Sequence, residues 1–149
     1  MTTSTARTRS GTVRLLATLV ILTGAVMAVA GVATWVIVGT TLADEKITVS
    51  DDATYFAGDA VDGPLSAASE AQTIEKHALE ASGGATYAEM PQDDPNRQTV
   101  MTASFLRASL FTSVVSFGVA AMAVGLGLVL ILIGIALRRL DQAPVVAQP

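Results

Sequence analysis

The chain contains no cysteine, one histidine and one tryptophan, and only 15% of its 149 residues are charged. The missing thiols exclude a disulfide framework, a thiolate metal site, a lipid-modified cysteine and a cysteine nucleophile. A single imidazole, His77, leaves few ways to build a transition-metal centre. So little charge beside 51% hydrophobic residues is a poor mixture for a soluble domain, which must cover its whole surface with polar groups. Nucleotide loops are missing too: neither G-x-x-x-x-G-K-S/T nor a strand-borne G-x-G-x-x-G occurs.

What is present is two long apolar runs flanking a polar middle. Residues 15–38, LLATLVILTGAVMAVAGVATWVIV, carry no charge and reach about 36 Å as a helix, enough to span hydrocarbon with some tilt. Residues 108–137, ASLFTSVVSFGVAAMAVGLGLVLILIGIAL, are likewise uncharged and longer than one bilayer needs. The first run has features of a cleaved secretory signal, with Arg7, Arg9 and Arg14 before it and Thr41-Leu42-Ala43 after it. Its apolar stretch exceeds that of a signal h-region, so it is expected to be retained.

Basic residues next to spans stay on the cytoplasmic side. Arg7, Arg9 and Arg14 precede the first span, and Arg138 and Arg139 close the second, which places both termini inside the plasma membrane. The stretch 44–102 holds twelve acids against Lys46, Lys76 and Arg97, a net charge of −9, and is expected outside. Arg107 is expected either as an interfacial anchor or as the partner of a carboxylate. Trp35 and Phe111 read as aromatic-belt residues.

Helices in lipid associate where small residues let their backbones approach. Gly24, Ala28 and Gly31 recur at helical spacing in the first span, and Gly118, Ala121 and Gly125 in the second. Counted inward from Thr40 and Thr112, Gly31 falls at the depth of Gly118 and Ala121, so these two seams are expected to face each other. Gly127 and Gly134 form a second stripe, available to another helix.

In the polar middle, Ile47-Thr48-Val49 reads as a short extended piece. Asp62 as N-cap, Pro64 in the first turn and the stop Gly83-Gly84 predict a helix over 64–82, with Leu65, Ala68, Ala71, Ile74 and Ala78 as its apolar face. Asp94 and Pro95 signal another helix start with no breaker before the second span, so that helix is expected to run from near Pro95 to about Arg139. Only twelve large apolar side chains, Tyr55, Phe56 and Leu65 among them, lie between Asp44 and Thr102. Such a core is too small to stand alone and is expected to lean on the membrane helices.

The acids Asp51, Asp52, Asp59 and Asp62 lack the alternating ligands and terminal glutamate of an EF-hand and read as a solvated surface. His77, on the expected outer helix with Glu75, Lys76 and Glu80, reads as solvent-facing. Neither span carries an ionisable group at its centre, which counts against an ion or proton pathway.

The strings LADEKITVSDDATYFAGDAVDGPLSA and FLRASLFTSVVSFGVAAMAVGLG resemble a group of small two-span actinobacterial membrane proteins often called aromatic ring-opening dioxygenases. The resemblance runs from the first span through the second and implies a two-span membrane fold. The activity in that name requires non-haem iron held by histidines and a carboxylate. One histidine cannot complete such a site, and no catalytic residue carries over.

Together these readings predict an all-α membrane protein: an antiparallel two-helix transmembrane hairpin with a small, mostly helical extracytoplasmic cap. The expected segments are a basic tail (1–12), a first span (13–43), the acidic cap (44–102), a second span (103–139) and a tail (140–149), with the ends irregular. The expected role is non-enzymatic, an accessory or scaffold subunit for a membrane or envelope protein, or a homo-oligomer, within the lipid bilayer. A small oligomeric pore is the alternative, and the dioxygenase comes last. No cofactor, metal, nucleic acid or small-molecule substrate is expected.

Overall fold

The computed structural model describes residues 5–142 as three helices in chain order: α1 (Thr5–Asp44), α2 (Pro64–Ala81) and α3 (Arg97–Gln142). No strand occurs among the described residues; Thr48 and Ala60 form a single antiparallel bridge. α1 starts at Thr5, so the part of the expected tail from Thr5 onward is helical. The side chains of Arg7 and Arg9 lie outside the described residues, as do both chain ends. Two stretches, Gly11–Asp44 and Arg97–Leu140, are long and apolar enough to cross a membrane, and in the most apolar window of each only 17% is buried.

Each helix begins and ends for local reasons. α1 meets no proline or internal glycine turn until Glu45 and Lys46, whose N–H groups donate to Leu42 O and Ala43 O while Lys46 takes φ 54°. α2 is capped by Gly63 rather than the expected Asp62: Ser66 Oγ accepts from the Gly63 N–H at 3.3 Å, and Pro64 sits where its missing N–H costs nothing. It stops at Ala81. The Gly84 N–H donates to Leu79 O at 2.7 Å and the Gly83 N–H to Glu80 O at 3.4 Å, a Schellman ending that needs the left-handed conformation Gly83 adopts at φ 67°. α3 starts two residues after the expected Pro95, where Asp94 Oδ1 accepts from the Asn96 N–H at 2.7 Å.

The chain divides into two compact units, Met1–Ala33 with Ala120–Pro149, and Thr34–Val119. In the first unit, α1 and α3 meet along small residues repeated every seven positions: Ala17, Gly24 and Gly31 against Ala120, Gly127 and Gly134. The contacts run in opposite directions, Gly134 against Ala17 and Ile21, Gly127 against Gly24 and Ala28, Ala120 against Gly31. Seven residues are two turns less about 20°, so residues at this repeat stay near one side of each helix along the contact.

This corrects one of the two expected seams. Gly24, Ala28 and Gly31 do line the contact on α1, but Gly118 and Gly125 have nothing within 4 Å of a built Cβ, and Ala121 is exposed. Gly127 and Gly134, expected to serve another helix, take their place. Gly118 and Gly125 each lie two residues from the seam positions Ala120 and Gly127, about 200° around the helix, and so face away.

The second unit has a small core of Leu42, Val49, Val61, Ala67, Ala71, Leu110 and Phe117, flanked by Val38, Ile47, Ala53, Ile74 and Val114. Trp35 meets Phe117 edge to face with centroids 4.8 Å apart. Of the expected apolar face of α2, Ala71 is buried, Ile74 packs against this core and Ala68 and Ala78 are half-buried, whereas Leu65 is 66% exposed; Ala67 and Glu70 are buried as well. Tyr55 and Phe56, counted for a core from sequence, are exposed as well.

Candidate functional site

The polar loop between α1 and α2 is closed by backbone bonds. Val61 N–H donates to Ile47 O, and Val49 N–H to Asp59 O, both at 2.9 Å, bringing the expected extended piece 47–49 beside 59–61. Gly58 N–H returns to Val49 O at 2.9 Å, so residues 50–58 form a tight excursion.

α2 fastens that excursion along its length. Buried Glu70 accepts from the Ser50 N–H at 2.7 Å and from Ser50 Oγ at 3.1 Å. Ser69 Oγ donates to Tyr55 O at 2.7 Å. Two turns further along α2, Lys76 Nζ bonds Asp52 Oδ2 at 2.9 Å, and His77 Nε2 lies 2.9 and 3.1 Å from the two Asp52 oxygens. Hydrogen bonds from Lys76 and then His77 hold the Asp52 carboxyl down at about 2, and the same contact raises Lys76. The histidine expected to face solvent is exposed and bonded to this carboxylate.

The segment between α2 and α3 is tied differently. Arg97 donates to Tyr87 O at 3.2 Å and to Met90 O, and its guanidinium lies 4.2 Å from the Tyr87 ring centroid. Glu89 accepts from the Thr86 N–H and hydroxyl, which lowers its pKa. Arg107 pairs with Glu75 at 2.8 Å, joining α3 to α2. Of the two sequence expectations for Arg107, the carboxylate partner is the one the structure displays.

Fastened at both ends, the excursion leaves Tyr55 70% and Phe56 42% exposed beside exposed Leu65. Two clefts of about 510 and 440 Å³ lie there. The first is lined by Asp52, Tyr55, Phe56, Leu65, Ser69 and Lys76, the second by Phe56, Asp59, Asp62, Leu65 and Ser66. Among the described residues no group of three histidines and carboxylates is placed to hold a metal. The arrangement suits binding through an apolar centre with an acidic edge. Tyr55 and Phe56, expected among the few core side chains of this segment, are instead on the surface.

Among the residues proposed for helix packing, Gly24, Ala28 and Gly31 come together with α3, whereas Gly118, Ala121 and Gly125 do not meet α1. Arg14, Arg138 and Arg139 are exposed. No protein-family model, curated protein or solved structure matches this chain.

Proposed function

We propose that this chain is a non-enzymatic integral protein of the plasma membrane, an accessory or scaffold subunit that presents its acidic cap, residues 44–102, to a partner protein outside the cell. The carrying observation is the uncovered apolar surface of α1 and α3: side chains such as Val26 and Val29 are 69% and 70% exposed and match a hydrocarbon solvent. In this reading the two helices form an antiparallel hairpin with both termini in the cytoplasm. Arg14, Arg138 and Arg139 act as inside anchors, with Arg7 and Arg9 beyond the first. The cap holds nine net negative charges, which favours a partner over the anionic inner leaflet.

Two measurements test the reading. The absence of native cysteine permits single reporters, so Thr54→Cys in intact cells should react with a membrane-impermeant maleimide while Ala147→Cys reacts only after lysis. Protection of Thr54→Cys would overturn the orientation. Gentle affinity purification from native membranes should bring down a stoichiometric membrane or envelope protein. Reproducible isolation of the chain alone would overturn the accessory role.

A further inference from the structure

The excursion over 50–58 holds large apolar side chains outward at a conformational cost. Phe56 takes φ 60°, a left-handed conformation that is unfavourable for a side chain of its size. The turn that imposes it is secured by the Asp59 N–H donating to Phe56 O and the Gly58 N–H donating to Val49 O, both at 2.9 Å. The ring is not buried in return. Instead Phe56 and Leu65 line both neighbouring clefts, so one apolar surface serves two recesses.

The edges of the two recesses differ in charge. Asp52, at the first, is already bonded to Lys76 and His77. Asp59 and Asp62, at the second, have no ion-pair partner among the described residues. An apolar surface therefore adjoins two uncompensated carboxylates. Its backbone is fixed in advance by Ser69, Glu70 and Lys76, which reduces the ordering that binding requires.

We infer that the Phe56–Leu65 surface is the docking site for a segment of the partner protein that places an apolar side chain against these two residues and a lysine or arginine at Asp59 and Asp62. This rests on the accessory-subunit reading and names the chemistry of its partner. Charge complementarity selects the occupant. A second copy fits less well: of the cations in its own cap, Lys76 is held by Asp52 and Arg97 by backbone carbonyls, which leaves Lys46 alone.

The test uses the full chain in nanodiscs of phosphatidylcholine, panned against a phage-displayed library of short random peptides, with empty nanodiscs subtracted. Enrichment of peptides in which lysine or arginine adjoins an aromatic or aliphatic residue is the expected result. In fluorescence anisotropy with the best such peptide, Phe56→Gly should weaken binding by about tenfold or more. Its thermal midpoint should be unchanged or higher, because glycine relieves the φ strain. Asp59→Asn with Asp62→Asn should weaken binding and flatten its salt dependence.

No enrichment, enrichment of acidic or uncharged peptides, or equal binding by Phe56→Gly would each overturn the site. Enrichment of the chain's own sequence around Lys46 would put a second copy in the partner's place and overturn it too. Co-purification tests the accessory role separately, so a captured partner together with failed panning removes only this surface.

Discussion

The unit built from residues up to Ala33 and from Ala120 is held by what its side chains omit, whereas Thr34–Val119 is held by what its side chains supply. Along the first seam a Cβ at Gly24 would stand 2.5 Å from Gly127 O, and one at Gly127 would stand 2.5 Å from Gly24 O. Backbone meets backbone there, and no charged group lies within residues 15–33 or 120–137. The other unit packs Phe117, Val49 and Val61 to under 2% exposure and fastens its loops through Glu70, Asp52, Arg97 and Arg107. In lipid, where apolar helices gain little by excluding water, close approach is the available source of association. On the membrane reading proposed above, water reaches the other unit, where a core plus hydrogen bonds is available, and the change from glycine repeats to paired polar groups follows from that difference in solvent.

The largest expected effect breaks the first half of that comparison. Gly127→Leu places a side chain against Gly24 O and the Ala28 backbone nitrogen, which cannot move without separating the helices. Unfolding in mixed detergent micelles should show loss of the paired state, and Gly24→Leu should behave alike. Gly118→Leu and Gly125→Leu enter open space and should change stability by less than about 0.5 kcal/mol. Equal damage from all four would mean that helix flexibility, rather than the seven-residue seam, governs stability.

Next in size come changes to the side-chain core. Phe117→Ala empties the largest fully buried position and removes the edge contact with Trp35, and should cost about 3 kcal/mol in thermal or denaturant unfolding. Glu70→Ala leaves the half-buried Ser50 N–H and hydroxyl without their acceptor, for a cost of about 1 kcal/mol. Amide exchange at Ser50 should rise with it. If exchange rises at Ser50 but not at Ala53 or Tyr55, Ser69 and Asp52 hold the excursion without Glu70.

Which parts were legible in the sequence follows the same division. The caps around Pro64, Gly83 and Pro95 are local signals, and α2 and α3 start and stop within two or three residues of where the sequence puts them, whereas α1 begins at Thr5, inside the expected tail. The pairing of Gly127 with Gly24 is not local. Two small-residue stripes coexist in α3, Gly118 with Ala121 and Gly125, and Ala120 with Gly127 and Gly134, and which one faces α1 depends on helix rotation, which the pattern of one helix leaves undetermined. Leu65 misled for a related reason: its spacing from Ala68 and Ala71 suits a buried face, but the buried stripe runs through Ala67, Glu70, Ala71 and Ile74 and leaves Leu65 at its edge. Tyr55 and Phe56 misled because hydrophobicity alone does not separate a core residue from an exposed one.

The smallest expected effect is electrostatic and sharpens the comparison from the other side. The Asp52 carboxyl, lowered from 3.8 to about 2 chiefly by the hydrogen bond from Lys76, contributes stability that is fully present above its unfolded pKa. That contribution disappears as pH falls through about 2. Lys76, raised above 10.5, contributes below that value and loses its contribution as pH climbs through the higher folded one. Between these limits the excursion stays fastened. Carbon-detected NMR of the Asp52 carboxyl should titrate near 2, and Lys76→Ala should move the midpoint back toward 3.8. The seam of Gly24, Gly31 and Gly127 has no group to titrate, so helix pairing should be unchanged across the same acid range. An Asp52 midpoint that starts at 3.8 in the unaltered chain would mean that this exposed contact is not maintained in solution, leaving Ser69 and Glu70 to hold the excursion.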